Sequence, residues 1–473
     1  MNRPIPRGRQ AIVLLVLLFL SAALSAAAAV PPAEAAHQVT LPIILAPSGI
    51  VLADNEAELR AAIAEANAAG QPPRIELQAD IALTQPLPPF DNPGASATVL
   101  RGNGHTLDGN GHGPILTVGL ATAVVIEQLT ITNGHTGQCG GAILVYGDLT
   151  LRRSQVQYSF AERGGGICVL SDGGQAAVRL EASRVSDNAA RYGGGIYVRS
   201  SGGGASLWVV DSTVASNRAT GDYGGGIHAY ATTGALGVRI TRSTISFNVA
   251  PNAAGLFNLG TQDAPPSTRR PTAFATTIIE NSTFSGNVAA GQGGAIGNYT
   301  IVPIWPDRGS QWPAAGAGTA AAVAPLPPGI GFGLVKVFNS TITGNQAAQG
   351  SGIFNGELGQ VELTGTIVAG NSPDGGDCAA FIASGGYNLD GDGTCGLGAS
   401  TDLPEAEADL QPLASWPPGL TATHALGPTS AARDRIPAGQ AGCTAAATDQ
   451  RGVPRPQPAG GLCDIGAYEA EQP

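Results

Sequence analysis

Residues 183 to 198 read SRVSDNAARYGGGIYV, and the same sentence recurs with small changes as SQVQYSFAERGGGICV (154 to 169), STVASNRATGDYGGGIHA (212 to 229), STISFNVAPNAAGLFN (243 to 258), STFSGNVAAGQGGAIGN (282 to 298) and STITGNQAAQGSGIFN (340 to 355). Each copy has a β-branched or aromatic residue, a polar residue three places on, and a glycine-rich step into Ile or Leu. The polar residue is Ser159 in the first copy, then Asn188, Asn217, Asn248, Asn287 and Asn345. A fixed self-similarity of about 30 residues marks a stack of repeated units.

Upstream of each Asn lie apolar residues spaced by two: Val178 and Leu180, Leu207 and Val209, Val238 and Ile240, Val335 and Val337, with Ile279 alone in its copy. That spacing puts each pair on one face of a strand. A second short strand carries the β-branched residue, and a third begins at GGGI. Three strands per unit without helical periodicity describe a single-stranded, right-handed parallel β-helix, an all-β solenoid whose coils bury their apolar faces only by stacking. In that register Leu180, Val209, Ile240, Ile279 and Val337 fall in line, one per coil. Gly and Asn suit the sharp corners because both tolerate left-handed backbone. Asn at one corner of successive coils can also bond to the next coil, so Asn188, Asn217, Asn248, Asn287 and Asn345 read as a structural ladder.

The chain begins MNRPIPRGRQ, AIVLLVLLFL and then an Ala-rich run, the signature of a secretory signal peptide with cleavage after Ala29 or Ala36. Residues 1–36 are assigned to that segment, and nothing later is long and apolar enough for a helical membrane span. Six Cys suit a disulfide-forming exported protein, and a formal charge of −11 argues against nucleic acid as a partner. Residues 37–74 read as a linker and an N-terminal capping helix. In NEAELRAAIAEANAA (55 to 69) Asn55 caps, Glu58 stands at the capping-box position, and Leu59, Ile63 and Ala66 share a face ended by Gly70. The β-helix then occupies 75–372 and a C-terminal cap 373–473.

Three segments carry a family resemblance. AELRAAIAEANAAGQPPRIELQADIALTQPL resembles the N-terminal domain known by its CSLREAI signature, with Ala57-Glu58 in place of Cys-Ser. The STISGN and GGGI repeats are similar to β-helix proteins with the polymorphic-outer-membrane-protein type of repeat. GGYNLDGDGTC (385 to 395), THALGPTSAA (423 to 432) and DQRGVPRP with CDIGAYE (449 to 469) resemble the choice-of-anchor Q domain of bacterial surface proteins. The resemblance implies a surface-exposed β-helix and brings no catalytic residues with it. The chain ends EAEQP without the sorting motif that anchoring by that route would use.

For chemistry, the pattern offers little. GNGHG (109 to 113) holds the Gly-His-Gly of polygalacturonases without the paired acids, so His112 reads as a turn residue and Asp211 as a corner cap. No catalytic residue or cofactor is assigned. Acidic turns at 374–378 and 389–395 could offer oxygens to Ca²⁺, yet Gly-Asp turns are stable without metal and the spacing is not that of an EF-hand, so no metal site is assigned. Cys378 with Cys395 and Cys443 with Cys463 are expected to pair within the cap. Cys139 and Cys168 are expected to stay apart, because one precedes its Ile by four residues and the other follows its Ile by one. Insertions at 260–274 and 299–333 leave consecutive coils at one corner and bring Arg269, Arg270, Trp305, Asp307, Arg308 and Trp312, residue types that grip sugar rings and acidic glycans. The sequence thus reads as a secreted or cell-surface binding or adhesion module for carbohydrate or another envelope component. The alternative is a polysaccharide-cleaving lyase or hydrolase, which would need acids, or acids with a base, clustered beside a groove.

Overall fold

The computed structural model describes residues 49–261, 273–301, 333–372 and 374–471. Residues 1–48, which include the segment expected to be a signal peptide, and the interiors of both insertions lie outside them. Among the described residues the strands form two parallel sheets of twelve, one of nine and one of five, plus one antiparallel pair. Sheet A collects strands such as Gln175–Glu181, Gly203–Val210 and Gly234–Thr241; sheet B the short strands Arg184–Ser186, Thr213–Ala215 and Thr244–Ser246. Sheet C collects Ile196–Ser201, Ile227–Ala231, Leu256–Thr261 and their equivalents. Each strand pairs with its counterpart one coil away, so the chain is a parallel β-helix. The fourth sheet, D, was not foreseen: two- to four-residue strands such as Ala189–Tyr192 and Arg218–Ala219 bridge B to C in five coils.

The core register is as expected. Leu180, Val209, Ile240, Ile279 and Val337 are paired in succession and all fully buried. The copy with Ile279 alone has Thr277 at its other inward position, where the Thr277 hydroxyl donates to Asn258 Oδ1 at 3.0 Å. Asn258 belongs to a ladder on the inner face of sheet C: Asn258 Nδ2 donates to Asn298 Oδ1 at 2.8 Å and Asn298 Nδ2 to Asn355 Oδ1 at 3.0 Å.

The main ladder runs through the predicted residues. The side-chain amide of Asn188 donates to Asn217 Oδ1 at 3.0 Å, and the same bond recurs from Asn217 to Asn248, Asn287, Asn345 and Asn371. These Asn do not themselves make the left-handed turn. Positive φ falls one residue earlier, at Asp187, Ser216, Phe247, Gly286 and Gly344, which frees each Asn to point inward. The third Gly of GGGI has its reason here: a Cβ at Gly195 would lie 2.9 Å from Asn217 Cγ. A parallel serine ladder marks the A-to-B corner, where each Ser backbone N–H donates to the next Ser hydroxyl from Ser154 to Ser340. Asp211 turns that corner as predicted, with φ 49, like Asn281 and Asn339.

At the N-terminus the helix spans Glu56–Ala68 and buries Leu59, Ala62, Ile63 and Ala66. Asn55 caps it by accepting from the Glu58 N–H at 3.0 Å, while Glu58 reaches back to the N–H of Asp54. Part of the expected linker is instead a strand, Ile50–Ala53, which pairs in parallel with Arg74–Leu77 and starts sheet A. Ala69, in extended backbone, ends the helix, and Gly70 has no left-handed φ.

The C-terminal region does more than close the end. It runs back over the outer face of sheet B: Gln450 bonds to Thr244 and Thr283, His424 to Ser285, and the Ala467 N–H donates to Thr341. The quoted motif residues build its interior, where Asp449 pairs with Arg451 at 2.7 Å and Glu469 with Arg455 at 3.3 Å, all buried. Burial pushes the Glu469 carboxyl up to about 7. Cys378–Cys395 and Cys443–Cys463 are bonded as expected.

The expectation for Cys139 and Cys168 is corrected: they form a third disulfide, with Cα atoms 5.6 Å apart. Counting along the chain misjudged them because the corner at Gly140, with φ 76, folds the preceding segment against the outer side of the following strand. The residue four before the Ile of one coil therefore meets the residue one after the Ile of the next. Tyr192 and His228 repeat the relation with ring centroids 6.0 Å apart, and Tyr223 and Phe257 at 4.4 Å. The disulfide is the first rung of that series.

Candidate functional site

The outer faces of sheets A and B offer charged groups that are already paired, and a depression without rings or carboxylates. The carboxylates of sheet A are matched by cations: Glu181 by Arg152 and Arg179, Glu280 by Arg239, and Glu362 by Lys336. Those arginines hold Glu181 below the ordinary carboxylate range despite the opposing effect of burial, which suits an ion pair rather than a general acid. Trp208 stands half-buried between Arg179 and Arg239 in register. The C-terminal region covers the outer face of sheet B at Thr244, Thr283, Ser285 and Thr341, while Gln155 and Arg184 of its earlier strands stay exposed. His112 sits exposed in a turn, its N–H donating to Gly109 O. A shallow depression between Asn103, Gln128, Arg153 and Gln155 holds no aromatic ring and no carboxylate.

The outer face of sheet C is different. One outward row places Leu144, Cys168, Tyr197, His228, Phe257, Gly297 and Phe354 in register, and a second places Leu170, Arg199, Tyr230, Leu259 and Tyr299. Their rings touch from coil to coil, with centroid separations of 4.9 Å for Tyr197–His228, 4.5 Å for His228–Phe257, 5.2 Å for Phe257–Tyr299 and 5.4 Å for Tyr299–Phe354. Gly297 is required by this stack: a Cβ there would lie 2.8 Å from the Tyr299 ring, so its absence lets Tyr299 fold over the gap in the first row.

Depth divides the stack into two layers. Tyr197, His228 and Phe257 are buried, while Tyr192, Tyr223, Tyr230, Tyr299 and Phe354 are partly exposed above and beside them. Burial pulls His228 down to about 4, pushes Tyr197 up to about 12 and raises Tyr299. His228 is therefore neutral at physiological pH, and its Nδ1–H donates to the Tyr223 carbonyl at 3.2 Å. Polar groups rim the face: the Tyr299 hydroxyl donates to Gln292 Oε1, Gln292 Nε2 to Gln349 Oε1 at 3.0 Å, and Arg191 lies 5.2 Å over the Tyr192 ring. Apolar ring surface edged by amides, hydroxyls and guanidinium can stack on the C–H faces of a sugar while bonding its hydroxyls.

The residues singled out from the insertions, Arg269, Arg270, Trp305, Asp307, Arg308 and Trp312, lie outside the described residues. Their points of departure do not: the insertions leave from Thr261 and Ile301, which are paired, at the ends of strands Leu256–Thr261 and Ile296–Ile301 of this aromatic face. The aromatic face itself escaped sequence reading. Its only trace was an aromatic residue or His one place after the repeated Ile or Leu in Tyr197, His228, Phe257 and Phe354.

Comparison with family models, with curated proteins and with solved structures finds no match to this chain.

Proposed function

We propose that this chain is an exported, non-catalytic binding protein that takes carbohydrate, a cell-envelope or extracellular glycan, along the outer face of sheet C. The observation that carries the reading is the continuous ring stack from Tyr197 to Phe354, partly exposed and rimmed by Gln292, Gln349 and Arg191. The two insertions are joined to the ends of the same strands, and their Trp and Arg content is of the same chemical kind. Three disulfides agree with an oxidising compartment, and among the described residues no helix is long and apolar enough to cross a membrane. The likeness to choice-of-anchor Q proteins supports display at the cell surface. Against the lyase or hydrolase alternative stands the pairing of the sheet A carboxylates with arginine and lysine, which leaves them ion-paired where a cleaving β-helix enzyme would need free acids.

The test is a glycan-array screen of the mature chain, followed by affinity electrophoresis in the retained polysaccharide. Tyr230→Ala and the double variant Trp305→Ala with Trp312→Ala should each weaken retention at least tenfold while far-ultraviolet circular dichroism stays unchanged. Retention unaffected by both variants, or release of new reducing ends from the polysaccharide, overturns the proposal.

A further inference from the structure

The asparagine ladder ends in a way that no internal rung does. Asn371 is the last asparagine, and no further coil supplies the next one. Asp377 takes the place instead: it stands where other coils have the third Gly of GGGI, its backbone O accepting from Gly352 and Ile353. From there its side chain turns inward, and Oδ1 accepts from the Asn371 backbone N–H at 3.2 Å and from Asn371 Nδ2 at 2.7 Å. The other oxygen, Oδ2, is shielded from solvent and has no hydrogen-bond partner, on a residue only 2% exposed. A buried carboxylate oxygen without a partner is costly, and it calls for a ligand of opposite charge.

Two further carboxylates converge on it. Asp390 is fully buried, its oxygens accepting from the N–H groups of Gly393 and Cys395, each at 3.0 Å. Asp392 is exposed and accepts from the N–H and hydroxyl of Thr394 through Oδ1, and from the Asp377 N–H through Oδ2. One oxygen from each of the three acids lies within 4.8 Å of the others.

We propose that Asp377, Asp390 and Asp392 bind one divalent cation, Ca²⁺, which closes the C-terminal end of the ladder. Oxygen-only ligands select a hard cation. Ca²⁺ holds oxygens at about 2.3–2.6 Å, so ligands on opposite sides can be about 5 Å apart, whereas Mg²⁺ at about 2.0–2.1 Å spans only about 4 Å. Separations below 4.8 Å lie within the reach of Ca²⁺ coordination, and Ca²⁺ accepts an irregular set of carboxylates and water where Mg²⁺ demands a near-ideal octahedron. Exposed Asp392 gives the ion its way in and its remaining ligands from water. The site also joins the same two turns as the Cys378–Cys395 disulfide, since Cys378 follows Asp377 and the Cys395 N–H holds Asp390.

The experiment uses the intact mature chain, stripped with EDTA and dialysed, titrated with CaCl₂ by calorimetry and followed by thermal melting. One Ca²⁺ per chain should bind and raise the melting temperature, and at calcium about 100-fold above its dissociation constant the folding equilibrium should shift about a hundredfold. MgCl₂ at the same concentration should bind at least tenfold more weakly. Asp392→Asn, isosteric and at an exposed position, should lower calcium affinity at least tenfold, while Asp374→Asn in the adjoining turn should leave it unchanged. No heat and no change in melting temperature with CaCl₂ overturns the proposal, as does wild-type calcium affinity in Asp392→Asn.

Discussion

Replacing Asn217 with alanine tests whether the ladder holds the coils together. Asn217 Oδ1 accepts from the Asn188 backbone N–H at 3.1 Å and from Asn188 Nδ2 at 3.0 Å; its own Nδ2 donates to Val185 O and to Asn248 Oδ1, each at 3.0 Å. Asn248 Oδ1 keeps a donor in the variant, the backbone N–H of residue 217. Two donors on Asn188 are left without that acceptor in a fully buried place. At roughly 1–3 kcal/mol for each buried group left unmade, the loss is about 2–6 kcal/mol. Asn217→Asp should be worse still, because it places a carboxylate oxygen against Asn248 Oδ1 and Val185 O and buries a charge. Guanidinium unfolding followed by Trp fluorescence reads the change, with Ser206→Ala on the outer side of sheet A as the control. An Asn217→Ala variant within about 0.5 kcal/mol of wild type, the range of an ordinary surface change, would refute a structural ladder.

His228 should make stability fall on the acid side. Its folded-state pKa is pulled from 6.5 to about 4 by burial, so between those values the unfolded chain binds a proton that the folded chain does not. Stability from this group is present above pH 6.5 and lost as pH falls to about 4, by about 3 kcal/mol in total. Asp377, Asp390 and Glu469 act in the opposite direction, being held at about 6, 6 and 7, so the quantity to measure is the difference between wild type and His228→Phe at each pH. That difference should change by about 3 kcal/mol from pH 7 to pH 4, and a constant difference refutes the assignment. For sulfur, peptide mass mapping without reduction should return Cys139–Cys168, Cys378–Cys395 and Cys443–Cys463; unreacted thiols at 139 and 168 would contradict the first. The double variant Cys139→Ser with Cys168→Ser, opening a bridge across a separation of 29 residues, should lose about 3–4 kcal/mol.

The sequence by itself determined the coil. Alternating Val178 and Leu180, the β-branched residue and the Asn three places on are local signals, and their recurrence fixes which residues stack, because one coil cannot bury its apolar face without the next. The Asn ladder and both cap disulfides followed from the same local reading. What only the tertiary structure decided are relations between coils at the corners. Chain distance from Cys139 or Tyr192 to the neighbouring Ile says nothing of where a folded corner puts that residue over the following coil, so the third disulfide and the ring stack of sheet C were not legible. The acidic turns at 374–378 and 389–395 showed oxygens that Ca²⁺ could use but not that they meet; folding brings Asp377 against Asp390 and Asp392, and it buries Glu469 against Arg455. Repetition reports on what every coil shares, whereas a site arises where coils differ, and there the neighbours are set by the path of the chain through space.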